Sequence, residues 1–192
     1  MKSDVIAVSS REDRTEQALD LAERVAAYHR LSHKGTLHLR LLTEEMMGLM
    51  RAVTGSLEGS FWIENSGKSY ELHLRGNAVM DGKKREQLLS ASTSGKNEAH
   101  RGLMGKLRAF FEPSDNAPVF YGAGMEGGEF SGAIWSLCAY QNQVRSDMDQ
   151  NAPGAEDAWD ELEKSVVAHL ADDVKVSIFG GDVEMTIIKA LQ

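Results

Sequence analysis

The chain has 192 residues, a formal net charge of −8 and an isoelectric point near 5.3. With 42% hydrophobic residues it can bury a core, and its length suits one domain over residues 1–192. The acidic balance argues against a nucleic-acid-binding surface, and no apolar run is long enough to span a membrane. Cys138, the single cysteine, excludes an internal disulfide framework. Since no leader sequence is evident either, we expect a cytoplasmic protein.

The chain begins with a predicted strand at residues 5–8, followed by two helices. The first helix is predicted over residues 11–30, a break at 32–36, and a second helix that ends near Gly55. The first helix carries an apolar stripe formed by Ala18, Leu21, Ala22, Val25 and Tyr28.

The second helix has one apolar and one polar side. On a helical wheel, Glu44 and Gly48 lie together, nearly opposite the apolar residues. The predicted core side consists of Leu39, Leu42, Met46, Leu49, Met50 and Val53. A glutamate and a small residue therefore face away from the core, one turn apart.

Next comes a predicted hairpin, with strands at 60–64 and 69–75 around a turn at 65–68. In its second strand the side chains alternate, as a sheet with one buried face requires. Tyr70, Leu72 and Leu74 form the apolar side, and Glu71, His73 and Arg75 the polar side.

The remaining residues predict helices at 83–91, 98–111 and 130–144, with loops at 112–118 and 147–157. The tail reads as one helix through Trp159, Leu162, Val166 and Leu170, then strands at 173–178 and 183–189 around a turn at 179–182. This order indicates an α+β two-layer α/β sandwich, with helices on one face of a mixed, mostly antiparallel sheet. A helical insertion is expected at about residues 112–158.

Two segments resemble the gyrase/histidine-kinase-type ATPase superfamily, and most of all its anti-sigma-factor serine kinase branch. Residues 168–186 look like that branch's closing helix, strand, glycine turn and final strand. Residues 8–53 look like its opening strand, helix and motif-bearing helix. The resemblance implies the same sandwich fold and a site for ATP.

In that family, the motif helix carries a glutamate that acts as general base and, four residues later, an asparagine that ligates Mg²⁺. The resemblance places Glu44 at the glutamate and Gly48 at the asparagine, where no side chain can hold a metal. The family's adenine-binding Asp-x-Gly-x-Gly turn is absent, and Asp81-Gly82 is the nearest candidate. We therefore expect ATP as the ligand and no regular Mg²⁺ site.

A phosphate-binding segment is the further candidate, at residues 92–97. It offers hydroxyl groups, backbone N–H groups and a lysine before a predicted helix N-terminus, a combination that suits phosphate. The residues selected for nucleotide binding are Ser94, Gly95, Lys96 and Arg101. The alternative is a capped loop and a helix whose glycines allow close packing. The last helix opens with acidic residues, where the family has a phosphate-binding glycine turn.

Two hypotheses about function follow. One is a diverged histidine-kinase-like protein that binds a nucleotide and regulates a partner, with Glu44 as general base of a remaining ATPase or protein kinase activity. The other is a non-enzymatic interaction module that has lost the nucleotide and acts on a protein such as a sigma factor or its antagonist.

The six histidines show no metal-site spacing. The resemblance also implies a homodimer.

Overall fold

The computed structural model describes residues 1–9, 12–54, 58–77, 107, 133–179 and 182–191. The helices and strands, in chain order, are β1 (Ile6–Ser9), α1 (Glu12–Tyr28), α2 (His33–Thr54), β2 (Glu58–Ser66), β3 (Ser69–Asn77), β4 (Ala133–Ser136), α3 (Leu137–Asp149), α4 (Ala155–Lys164), α5 (Val166–Leu170), β5 (Asp173–Phe179) and β6 (Asp182–Ala190). The helix predicted at 83–91 lies outside the described residues. So does the one at 98–111, except for Leu107, which is buried.

The six strands form one sheet in the order β1-β2-β3-β6-β5-β4. Every neighbouring pair of these described strands is antiparallel. The prediction of an α+β fold with a sheet and helices is therefore confirmed, whereas the mixed sheet is wrong for this part of the chain. The physical reason is that both tight hairpins, β2–β3 and β5–β6, force antiparallel neighbours.

The two halves of the sheet are arranged alike: from each edge inward, the three strands of one half follow one another in chain order. Each half of the chain supplies an edge strand, then helices, then a hairpin. The halves meet at β3 and β6, whose pairing runs from Ser69↔Ala190 to Asn77↔Asp182. The middle of this pairing is His73↔Thr186.

One face of the sheet is buried beneath the helices. In β3 the predicted alternation is confirmed, because Tyr70, Leu72 and Leu74 are buried while the side chains between them are not. The same alternation continues in the other long strands, and one hydrophobic cluster joins these side chains to all the larger helices. Its fully buried large members include Phe61, Ile63, Leu39, Leu42, Met46, Met47, Met50 and Leu137.

The stripe predicted for α1 needs one correction. Ala18, Leu21, Ala22 and Val25 are buried as expected, but Tyr28 is 71% exposed and Ala26 is buried instead. Tyr28 is the last residue of α1, and the chain turns there with Arg30 at φ 54. The Leu31 N–H donates to the Ala26 carbonyl, which closes the helix end.

The break before α2 is shorter than predicted, because Ser32 caps the helix. The Ser32 hydroxyl accepts the N–H of Gly35 at 3.1 Å, and the Ser32 carbonyl accepts the N–H of Thr36. Helical structure therefore begins at His33 rather than after Thr36. The end of α2 at Thr54 agrees with the predicted stop near Gly55.

The helix predicted at 130–144 is wrong in its first part. Residues 133–136 form β4, which pairs with β5 from Ala133↔Ile178 to Ser136↔Lys175. The helix α3 begins only after Ser136, whose side chain accepts the N–H of Ala139. The capping serine is the last residue of the strand, and it separates two elements whose apolar residues fit one helical period.

Two further predictions in this region are corrected. The loop at 147–157 is shorter, since α3 continues to Asp149 and α4 begins at Ala155. The single tail helix is two helices, because Ser165 has extended backbone and caps α5. Val166, predicted as apolar face, is 41% exposed.

The predicted insertion at about 112–158 contains a strand of the main sheet. Within it, β4 pairs with β5, and α3 packs against β4, β5 and α4. The buried residues of α3 are Leu137, Tyr140 and Val144. Residues 133–149 therefore belong to the main sheet and its hydrophobic core rather than to an insertion outside them.

Candidate functional site

Glu44 and Gly48 both lie on the exposed side of α2. The opposite side is buried through Leu39, Leu42, Met46, Leu49 and Met50, as the sequence predicts. The buried Thr43 hydroxyl donates to the Leu39 carbonyl at 2.8 Å, so this polar group is satisfied inside the helix. The amphipathic pattern alone thus determines which way Glu44 faces.

Gly48 has open space around it. A Cβ atom built there would meet no heavy atom within 4 Å. A larger side chain is therefore sterically possible at this position, and the lack of a polar side chain there is not imposed by the packing.

The second half of α2 lies near the end of the sheet where β3 finishes. Only four residue steps connect Thr54 to Glu58, so the end of α2 lies within about 14 Å of the start of β2. There β2 pairs with the end of β3, through Gly59↔Gly76. Gly59 is required at this point, because a Cβ atom on it would lie 2.3 Å from the Arg75 carbonyl oxygen.

The first half of α2 lies at the other end of the sheet. Partial burial lowers the pKa of His38, and the positive charges of Lys34 and Lys189 lower it further. Since Lys189 is near the end of β6, which pairs with the start of β3, α2 and β3 run in the same direction. The sequence places Asp81 four positions after Asn77, the last residue of β3.

The structure brings together two of the predicted site residues, Glu44 and Gly48. The others lie outside the described residues, and they are Asp81, Gly82, Ser94, Gly95, Lys96 and Arg101. Of the residues that the structure describes, no group of three or more acidic, histidine or cysteine side chains is placed to hold a metal ion.

A second cluster, on the polar face of the sheet, was not identified from the sequence. The rings of Trp62 and His73 stack with their centroids 4.9 Å apart and their planes 3° from parallel. The ammonium group of Lys2 lies 4.5 Å from the centroid of the Trp62 ring. The alternation of β3 predicts that His73 lies on this face, and the predicted hairpin brings the two strands together, but the register that pairs Trp62 with His73 was not predicted.

Carboxylates surround this aromatic pair. The Trp62 indole N–H donates to Glu64 at 2.9 Å, and Lys2 lies 3.0 Å from the same carboxylate. These hydrogen bonds, from Lys2 first and then from Trp62, lower the pKa of Glu64. The cluster therefore holds the N-terminal segment against β2.

His73 itself is 12% exposed and contacts β6. Its Nδ1 lies 3.3 Å from Glu184 Oε1 and 3.2 Å from Thr186 Oγ1. Its Nε2 lies 3.6 Å from Glu71 and is shielded from solvent without a hydrogen bond. This arrangement ties β2, β3 and β6 together at the centre of the sheet.

Comparisons with protein-family models, curated proteins and solved structures gave no match. Among the helices that the structure describes, none is both long and apolar enough to cross a bilayer.

Proposed function

We propose that this chain is a nucleotide-binding regulatory protein with a diverged histidine-kinase-like ATPase domain. ATP or a related nucleotide binds between the exposed side of α2 and the segment that follows β3. The observation that supports this proposal is the position of Glu44 and Gly48. They are exposed, one turn apart, and on the half of α2 that lies toward the end of β3.

Each site residue has a role in this proposal. Glu44 accepts a proton from the attacking hydroxyl or water. Asp81, with Gly82 beside it, accepts a hydrogen bond from the amino group of adenine. Phosphate oxygens meet backbone N–H groups and cationic side chains, as they do at other phosphate sites. The residues assigned to the phosphates are Ser94, Gly95, Lys96 and Arg101.

The glycine at position 48 shapes the metal requirement of this site. Its lack of a side chain removes the amide oxygen that serves as a hard Mg²⁺ ligand. We therefore propose that nucleotide binding depends little on Mg²⁺. Since the space around Gly48 is open, Gly48→Asn should fold and should make ATP bind more tightly with Mg²⁺ than with EDTA.

Isothermal titration calorimetry of the purified chain with ATP and with ADP, in Mg²⁺ or EDTA, tests the proposal. We expect saturable binding, weakened about 5-fold or more by Asp81→Ala, because the loss of the acceptor for a hydrogen bond costs at least about 1 kcal/mol. Asp4→Ala, at an exposed position near the N-terminus, is the matched control. Absence of binding under all conditions contradicts the proposal.

The catalytic role of Glu44 has its own test. In a phosphate-release assay with ATP, Glu44→Gln should abolish turnover and leave the calorimetric affinity unchanged, because the amide cannot accept a proton. Glu45→Gln, one position along the same helix and half-buried, is the control. Equal turnover in both variants removes the general-base role and leaves a binding protein.

The second candidate is the interaction module without nucleotide. Besides Gly48, it is favoured by large apolar side chains exposed on the described helices, led by Tyr28 at 71% and Leu37 at 46%. Its partner would be another protein, and the resemblance implies a sigma factor or the antagonist of one. Native mass spectrometry of the purified chain decides between the candidates, because a co-purifying nucleotide excludes this one.

A further inference from the structure

Positive charge is concentrated around the turn between α1 and α2. Residues 24–43 contain four lysine and arginine residues and no aspartate or glutamate, although the chain as a whole carries −8. Arg40 is neutralised, because it pairs with Glu23. Arg30 and Lys34 are exposed, and the described residues offer them no ion-pair partner. An acidic protein thus carries unpaired cations at this turn.

The turn between β2 and β3 lies at the same end of the molecule. The ring of His29, in the α1–α2 turn, has its centroid 5.5 Å from that of Tyr70 in β3. Lys68, two residues before Tyr70, is exposed and has no ion pair with any residue that the structure describes. Its carbonyl accepts the N–H of Leu191, which holds the turn against the end of the chain that follows β6. Two neighbouring turns therefore present cations together.

The pKa of His38 is consistent with a positive potential at this end. Partial burial lowers this pKa first, and the charges of Lys34 and Lys189 lower it further. Lys189 is itself neutralised, since its Nζ lies 2.8 Å from Asp172 Oδ1. The unpaired cations are therefore those of the two turns.

Large apolar side chains lie among these cations. Tyr28, the last residue of α1, is 71% exposed, and its ring centroid is 5.2 Å from that of His29. On α2, Leu37 is 46% exposed and Leu41 is half-buried. They follow Lys34 by three and seven positions, so all three lie on one side of the helix. A surface that combines exposed apolar groups with cations suits a partner that is both acidic and apolar.

The rest of this end of the molecule is acidic, which limits the size of the partner. The strand β5 begins here, because Asp173 pairs with Ile188, next to Lys189. The helix α4 ends close by, since the Glu163 carbonyl lies 2.6 Å from the ring of His169. This helix carries five carboxylates and one lysine.

A bilayer of anionic lipid is wide and flat, so it would meet these carboxylates as well as the cations and would be repelled by them. A short acidic segment of a polypeptide can contact the cations alone. The distribution of charge therefore favours a peptide segment over a membrane.

We propose that this end of the molecule is a docking site for an acidic, partly apolar segment of a partner protein. The site, called the basic patch, consists of Tyr28, Arg30, Lys34, Leu37 and Lys68. Carboxylates of the partner pair with the cations, and its apolar side chains cover Tyr28 and Leu37. The proposal rests on the regulatory role proposed above but not on nucleotide binding, for which the candidate residues of α2 lie in its other half.

Fluorescence anisotropy tests the proposal, with the full chain titrated at low salt into a labelled synthetic peptide of glutamates that has a leucine at every fourth position. We expect saturable binding that weakens as salt is added, because salt screens exposed charges. Lys34→Glu combined with Lys68→Glu should weaken it about 10-fold or more. Arg51→Glu combined with Lys175→Glu makes the same change of net charge at exposed positions outside the basic patch, and should bind nearly as wild type.

The apolar part of the basic patch has its own variants. Tyr28→Ser and Leu37→Ser should each weaken peptide binding about 5-fold, because apolar area is no longer covered. Both side chains are exposed, so the variants should keep the circular dichroism spectrum of the wild type.

Three results would overturn the proposal. They are no binding of the peptide by the wild type, an equal loss in the two charge-reversal variants, and binding to phosphatidylserine vesicles in place of the peptide. Calorimetry with ATP on the Lys34→Glu/Lys68→Glu variant separates this proposal from the nucleotide site. Loss of the peptide with ATP affinity unchanged supports a separate docking site, whereas loss of both overturns it.

Discussion

The carboxylate of Asp173, the first residue of β5, accepts the backbone N–H of Cys138 in the first turn of α3 at 3.0 Å. The same carboxylate accepts the Ser136 hydroxyl at 3.1 Å and the N–H of Val174 at 2.8 Å. One side chain thus joins the end of β4, the start of α3 and the start of β5. These contacts mark the junction at which β4 ends and α3 begins, within the segment that the sequence predicts as one helix.

Removal of this carboxylate should destabilise the second half of the fold. We expect Asp173→Ala to lower the free energy of unfolding by about 2 kcal/mol, because it leaves a helix N-terminus and a hydroxyl without their acceptor. Asp173→Asn keeps one acceptor oxygen and should lose less. Urea unfolding measures both, with the exposed Asp4→Ala as control. Equal losses for all three variants would show that the junction does not depend on Asp173.

Asp172, next to Asp173, gives a pH dependence. Partial burial alone raises its pKa, but hydrogen bonds from Lys189 and from the Ala190 N–H outweigh this and lower the pKa below its ordinary value. A carboxyl whose pKa is lower in the folded state stabilises the protein above the unfolded pKa of about 4 and loses that contribution as pH falls.

We therefore expect Asp172→Asn to be less stable than wild type at pH 7, with a gap that narrows below about pH 4. Chemical unfolding at a series of pH values measures the gap. Asp4→Asn, at an exposed position, serves as the control for the substitution itself. A gap for Asp172→Asn that is constant with pH contradicts the assignment.

Two glycines with equal space and different backbones should respond in opposite ways to alanine. Neither Gly48 nor Gly67 has a heavy atom within 4 Å of a built Cβ, but Gly67 has φ 65 while Gly48 is helical. Gly48→Ala should raise stability by about 1 kcal/mol, through helix propensity. Gly67→Ala should lower it by about 1 kcal/mol, since an L-residue is strained there. Thermal unfolding of the two variants checks both signs.

The Trp62–His73 stack should appear as a coupling between the two residues. A double-mutant cycle with Trp62→Ala and His73→Ala is expected to give about 1 kcal/mol of interaction energy, the range of aromatic pairs. The control cycle pairs Trp62→Ala with His33→Ala, at an exposed position at the start of α2, and should give none. Coupling equal in both cycles would show that the stack itself contributes nothing.

Period and alternation predicted much of this fold. The buried side of α2 and the alternation of β3 follow directly from the spacing of apolar residues. The same spacing predicts that Glu44 and Gly48 lie on the exposed side of α2, where the structure has them. Local hydrogen bonds decided the rest. Ser32, Ser136 and Ser165 each begin a helix where the apolar pattern indicates continuation or a later start.

Contacts between distant residues lay beyond sequence reasoning. Trp62 meets His73 through the register of the β2–β3 hairpin, which the prediction of that hairpin does not specify. His73 meets Glu184 only because of the strand order, which no local pattern contains. For the same reason the edge position of β1 among the described strands was not predicted. In the candidate site, the pattern gave the direction of Glu44 but not its position relative to the end of β3.

The strand order also has a consequence for how the chain folds. Each hairpin forms between neighbours in sequence, but the central pairing joins Ser69 to Ala190 and Asn77 to Asp182. Closing so long a loop is entropically costly, and such contacts slow folding. We expect the two hairpins to form early and the seam between β3 and β6 to form last. During synthesis, the first half must therefore wait with an unpaired β3 until the final strand has been made.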